Sequence, residues 1–160
     1  TVRIEYDAEG TQHMIMNGMD VTGDIRSPDI SQKASLISAH AIVRDMLLDM
    51  QREIAQEYDV IMDGRDIGTV VLPKATVKFF LTASPEVRAK RRTKELLEKG
   101  QKADYGKILK DIQQRDYQDT HREVAPLKMT KDSVKLDTSE MTIEEVIAAM
   151  KETISKKVAP

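Results

Sequence analysis

The chain has 160 residues, 40% hydrophobic and 32% charged, with a net charge of −2, which suits one sizeable core and gives no global attraction to nucleic acid. It contains no cysteine, which excludes disulfides and thiolate metal sites, and His13, His40 and His121 show no ligand spacing. With no apolar run of bilayer length and no signal segment in the sequence, the expectation is a cytoplasmic domain without membrane or nucleic-acid partners, in which any anion recognition is local.

The first predicted elements are short strands. Arg3 to Tyr6 and Gln12 to Met16 flank an Ala8-Glu9-Gly10 turn, and Asn17-Gly18 offers a second hairpin turn before Met19 to Val21, which together read as a small antiparallel sheet. Ile30 to Tyr58 is mostly helical in pattern, with apolar Ile30, Ala34, Ile37, Ala41, Met46, Met50 and Ile54 and room for a kink near Ser38 to Ala41. Methionines at these spacings read as core filler.

The segment Val60-Ile61-Met62-Asp63-Gly64-Arg65-Asp66 is the most informative, because an apolar run ends abruptly in a carboxylate, a glycine and an Arg-Asp pair. Continuous Val/Ile is the mark of a parallel strand buried on both faces, and ligands in open α/β sheets bind beyond the carboxyl ends of such strands. Asp63 then stands at the mouth of a site, where a carboxylate suits a hydrated magnesium ion and the Arg65 fork suits a phosphate. On these residues alone, a strand followed by a solvated turn explains the pattern equally well.

A strand is predicted at Val77 to Leu81, followed by a helix with Ser84 as its cap, Pro85 at its first position and Gly100 as its stop. Its first turns carry Arg88, Lys90, Arg91 and Arg92. Asp104 caps a further helix running to Arg122, on which Arg115, Asp119 and Arg122 recur at i, i+4 and i+7 and so share a face. An exposed Arg/Asp ladder is the plain alternative. What favours a ligand is Glu123-Val124-Ala125-Pro126-Leu127, which should pin that helix end against the body of the protein. A strand at Val134 to Leu136 and a last helix opened by a Thr142/Glu145 capping box complete an alternation that argues for an α/β parallel sheet.

Asp63 to Pro73, Phe80 to Ser84, Arg88-Ala89-Lys90-Arg91-Arg92, Arg115 to Leu127 and Asp137-Thr138-Ser139, in that order, resemble bacterial cytidylate kinase from about Ile4 to Ile154. The resemblance implies an α/β fold of the P-loop nucleoside-monophosphate-kinase type that transfers the γ-phosphoryl group of ATP to CMP or dCMP with Mg2+. It implies a nucleoside-monophosphate region over residues 1–58 and a core over residues 59–160 with a lid at about 84–104. Carried over position by position, Ser35, Arg44 and Asp66 match the recognition of cytosine, Arg65 and Arg122 the monophosphate, and Arg115 and Asp119 the sugar. Arg88, Arg91 and Arg92 resemble the lid over ATP, and Asp63 is the expected magnesium position, through water.

Family members open with a strand and a Walker A loop, G-x-x-x-x-G-K-[ST], and no such motif occurs in these residues; the one Gly-Lys pair, Gly106-Lys107, precedes Ile108 inside a predicted helix. The expectation is therefore an incomplete sheet and a 160-residue chain that does not phosphorylate CMP by itself. Two readings stay open. One is the greater part of a CMP kinase, a monomer when completed by a longer native polypeptide. The other is a non-catalytic remnant that binds a pyrimidine nucleotide or a partner.

Overall fold

The computed structural model describes residues 2–38 and 40–158, with only the backbone of residues 28, 29, 31, 32 and 35. The chain forms two compact units, Thr1–Met50 and Gln51–Pro160.

In the first unit, β1 (Val2–Tyr6), β2 (Gln12–Met16) and β3 (Met19–Asp20) form an antiparallel sheet in the order β1-β2-β3. Local chemistry sets both turns. Asp7 accepts hydrogen bonds from the amides of Glu9 and Thr11, and Gly10 takes φ +79. Asn17 and Gly18 both have positive φ, which a two-residue hairpin loop requires, so the pairing Met16↔Met19 follows from the turn. Ser27 then caps helix α1 (Pro28–Ile37), which ends at a C-cap, Ser38, still in right-handed helical geometry, and α2 (Ala41–Glu57) follows. The kink expected at Ser38 to Ala41 thus falls where two helices meet, although Ala39 itself lies outside the described residues.

The second unit takes in the last turns of α2, then β4 (Phe79–Thr82), α3 (Pro85–Glu98), α4 (Tyr105–His121), β5 (Val134–Asp137) and α5 (Ile143–Val158). β4 and β5 pair in parallel with Phe79 opposite Val134, so the α/β class holds. The caps are those read from sequence. Ser84 accepts from the Val87 amide, Asp104 from the Lys107 amide, Gly100 takes φ +70, and Thr142 and Glu145 bond each other's amides reciprocally. Each such cap stabilises its helix by about 1 kcal/mol. α3 packs on α4 with Ala89 fully buried between its turns. Among the described residues no helix is long and apolar enough to cross a membrane.

Two sequence expectations need correction. Val60 to Asp63 is not a strand: it pairs with no strand among the described residues, and Ile61 is 99% exposed. A strand exists only with a ladder partner, and an apolar run cannot say whether one is at hand. The strand expected at Val77 to Leu81 begins two residues later, at Phe79. Lys78 is buried instead by its amine, which donates to the Pro73 carbonyl and to Asp132 at 2.5 and 2.7 Å, while its own carbonyl accepts the Val134 amide that opens the ladder. That lysine holds the Asp132 carboxyl down at about 2, with Thr130 adding a further hydrogen bond.

Candidate functional site

The helical period places Arg115 and Asp119 on one face of α4, whereas Arg122, expected as its last residue, is its C-cap with extended backbone, and the chain folds back to fix that end. The Leu127 amide donates to the Asp119 carbonyl at 2.7 Å, so residues 123–127 do pin the helix. Ala125 lies at φ +48, a left-handed conformation that costs an alanine about 1–2 kcal/mol. Arg122 offsets part of this cost by donating Nε and Nη2 to the Ala125 carbonyl at 2.8 and 2.5 Å.

Asp119 is the centre of the arrangement. Its residue is only 6% exposed, it accepts from Arg65 Nε at 2.7 Å, and Arg115 Nε stands 3.9 Å away. Two guanidinium groups therefore share one buried carboxylate, which leaves a local excess of one positive charge. The Nη groups of Arg65 and Arg115 make no hydrogen bond among the described residues, and both side chains are more than two-fifths exposed. Oriented, partly desolvated guanidinium edges of this kind bind an anion such as a phosphate.

The loop that delivers Arg65 is built with similar care. A Cβ on Gly64 would meet Ile67 Cγ1 at 2.9 Å, so glycine lets the loop close on Ile67. Asp66 is buried, and its carbonyl accepts the amides of Thr69, Val70 and Val71 and the Thr69 hydroxyl. These bonds open a π-helical turn over Ile67–Val71, where sequence reading had only a loop and an apolar run. Such turns are short and uncommon, and concentrate at functional positions. Asp63, at the head of the loop, is exposed and has no hydrogen-bonding partner among the described residues.

The basic turn of α3 divides three ways. Arg88 grips Asp116 of α4 with both Nη groups, at 2.9 and 2.5 Å, and gives Nε to the Ala83 carbonyl, and the Asp116 hydrogen bonds push the guanidinium still further toward its charged form. Arg91 reaches the turn after β5, donating to the Thr138 hydroxyl and carbonyl and to the Met141 carbonyl. Arg92 pairs along its own helix with Glu95, whose carboxyl Lys99 and Arg92 together hold at about 2. In the first unit Arg44 donates to the Ser38 carbonyl at 3.2 Å, and the side chain of Ser35 lies outside the described residues.

The structure thus gathers Arg65, Arg115 and Asp119, leaves Arg122 just past the end of α4 as its C-cap, and ties Arg88 to that helix through Asp116. Arg91 and Arg92 have other partners. Asp116 was missed by the sequence reading, although its position three residues before Asp119 puts both aspartates on neighbouring turns of one face. Arg52 was also missed: it donates Nη2 and Nε to the carbonyls of Val70 and Val71 at 2.8 and 3.2 Å, and nothing in its sequence neighbourhood signals that contact.

No group of three or more His, Asp or Glu side chains that could cage a metal exists among the described residues. A lone exposed carboxylate such as Asp63 fits a magnesium ion that keeps most of its water, and does not fit a metal held by protein alone.

Comparison with known proteins points one way. The family model described as cytidylate kinase matches residues 1–156. A protein of Lactobacillus johnsonii named cytidylate kinase is 50% identical over 149 residues, covering 93% of this chain and 65% of its own length. Namesakes from Clostridium tetani and Enterococcus faecalis are each 49% identical, over 145 and 150 residues, covering 91% and 94% of this chain and 64% and 66% of theirs. The chain spans about two thirds of the length of the curated relatives it matches.

Proposed function

The chain belongs to the cytidylate kinase family, and from that premise we propose that it supplies the acceptor side of an ATP-dependent kinase that phosphorylates CMP or dCMP. The observation that carries this reading is the buried Asp119 holding Arg65 and Arg115 with their Nη edges unengaged. The unengaged Nη edge of Arg65 suits an acceptor phosphate, and that of Arg115, beside the Asp119 carboxylate, suits the hydroxyls of a sugar.

In this reading Arg65 and Arg122 bind the acceptor phosphate, and Arg115 and Asp119 bind the sugar, so the attacking phosphate oxygen is aimed at the γ-phosphorus of ATP. A bond forms between that oxygen and the γ-phosphorus, and the bond from the γ-phosphorus to the β,γ-bridging oxygen breaks. Phosphoryl transfer of this kind asks mainly for positioning and charge neutralisation. Arg88, Arg91 and Arg92 form the lid that neutralises the transferring group and excludes water. Asp63 would hold a magnesium ion through water, and that ion would supply charge neutralisation at the phosphates.

By the family resemblance Ser35 and Arg44 in the first unit, and Asp66 in the second, each match a position that recognises the base. Cytosine offers an amino donor to a carboxylate and carbonyl and ring-nitrogen acceptors to guanidinium and hydroxyl donors, whereas uracil reverses the amino edge.

The direct test is Arg122→Ala in the native polypeptide that contains these residues. Losing one charge-assisted phosphate contact should lower kcat/KM for CMP at least about tenfold. A change confined to thermal stability, with kinetics intact, would reduce the α4 row to a surface ladder.

A further inference from the structure

We infer that Arg52 is a positioning residue for the base-reading loop. It clamps the π-helical turn Ile67–Val71 and so fixes Asp66, which sits immediately before that turn. The link to cytosine rests on the reading given under Proposed function; the clamp itself rests on geometry alone.

The physical need is plain from the hydrogen bonds. At its start the turn is satisfied, because one carbonyl, that of Asp66, collects three amides and a hydroxyl. At its end the carbonyls face the shortage that ends every helical segment, and a five-residue turn has no further helix to supply donors. Arg52 meets that shortage from outside. Its Nη2 and Nε donate to the successive carbonyls of Val70 and Val71, and Val71 is 4% exposed, so this end of the turn is sealed from water. An arginine is suited to this role because its planar fork presents two donors at fixed separation to two adjacent acceptors. A cation at the carbonyl end also opposes the dipole of the aligned peptides.

The loop is then tethered at two points. Arg65 is anchored to Asp119 on α4, and the Val70-Val71 end is anchored to Arg52 on α2. Asp66 lies between these anchors, so its backbone is held from both sides. A carboxylate that must meet one amino group rather than a carbonyl needs that restraint, since a misplacement of about 1 Å is enough to degrade a preorganised site.

The test compares Arg52→Gln and Arg52→Lys with the wild type, all in the native polypeptide containing these residues. It reads amide exchange at Thr69 to Leu72, and the ratio of kcat/KM for CMP over UMP. In Arg52→Gln, exchange at Val70, Val71 and Leu72 should quicken about tenfold and the CMP/UMP ratio should fall at least about fivefold, with Arg52→Lys, which keeps one donor contact, in between. General destabilisation would not change base preference, so the ratio separates positioning from packing. Should the glutamine variant not fold, the lysine variant carries the same comparison. Faster exchange with an unchanged CMP/UMP ratio would make Arg52 a packing residue only, and unchanged exchange would overturn the clamp. A wild-type protein without CMP activity, in which exchange still responds, would sink the cytidylate reading and leave the clamp standing.

Discussion

The face of α4 and the segment Val60 to Asp63 were both read from the sequence as parts of one site, and they could hardly differ more in structure. On and just past α4 the side chains are held: Asp119 by two arginines, Arg122 by a carbonyl, and the helix end by Leu127. Val60 to Asp63 belongs to no helix or strand, has no ladder partner among the described residues, and carries an isoleucine 99% exposed. A helix satisfies its own backbone, so spacing along the sequence is enough to align side chains. A strand borrows its satisfaction from neighbours that the local sequence does not name.

The largest effect expected on this comparison comes from removing the centre of the α4 arrangement. Asp119→Ala in the native polypeptide leaves Arg65 and Arg115 repelling each other where a shared carboxylate had held them. A charged hydrogen bond to a buried partner is worth about 1.5–3 kcal/mol, so kcat/KM for CMP should drop by about ten- to a hundredfold. Steady-state kinetics beside a thermal melt would check it. If activity survives while the melting point falls, Asp119 holds the fold and not the substrate.

A smaller change is expected at Asp66. Replacing it with asparagine keeps its size and adds a donor, which should erode the preference for CMP over UMP by at least about fivefold, since the amide can face either pyrimidine. An unaltered ratio of kcat/KM for the two nucleotides would take Asp66 out of base reading.

Much of this was legible because it is local. Ser84, Asp104, Gly100 and the Thr142/Glu145 pair do in three dimensions what their types and spacing said, and so does the Asn17-Gly18 hairpin. What could not be read depends on contacts between distant residues. Arg52 reaches Val70 and Val71 across 18 and 19 positions, Lys78 reaches Asp132 across 54, and Arg88 reaches Asp116 across 28. Each is an arginine or lysine that in sequence resembles any solvated base. The π-helical turn was hidden for another reason, since Ile-Gly-Thr-Val-Val has the composition of a strand and becomes a turn only because the Asp66 carbonyl and Arg52 satisfy its two ends.

The first unit offers a gentler contrast, because its sheet carries a titratable lock. His13 lies between Asp20, at 2.7 Å, and Asp7, at 3.3 Å, with Glu5 directly across the strand pair. The hydrogen bond to Asp20, then that to Asp7, raises the imidazole above its ordinary value, while Thr22 and His13 hold the Asp20 carboxyl at about 2 and the Thr11 amide lowers Asp7. The signs follow. The contribution of His13 is fully present below the unfolded histidine value of about 6.5 and is lost as pH rises through the folded value. That of the aspartates is present above about 4 and is lost as pH falls through their lowered folded values, about 2 for Asp20. The hairpin should therefore be firmest between about pH 4 and 6.5, and His13→Gln should flatten the alkaline side of that window. Amide exchange across β1 and β2 as a function of pH would detect the change; a profile identical in the variant would mean that the lock carries no weight.

The smallest effect is the one that bears most directly on Val60 to Asp63. With Ile61 99% exposed, a charge there meets water rather than packing, and Ile61→Lys in the 160-residue chain should alter stability by no more than about 0.5 kcal/mol. The same substitution in a polypeptide extended to the length of the curated relatives discriminates between two states of this segment. If Val60 to Asp63 stays unpaired there, the lysine is again harmless. If it joins a parallel sheet covered on both faces, a buried lysine without a partner should cost several kcal/mol and lower the melting point by many degrees. Denaturant melts of both polypeptides, with and without the substitution, decide the matter. A large loss in the 160-residue chain itself would show that Ile61 is packed in solution, and that the contrast with α4 is smaller than its geometry suggests.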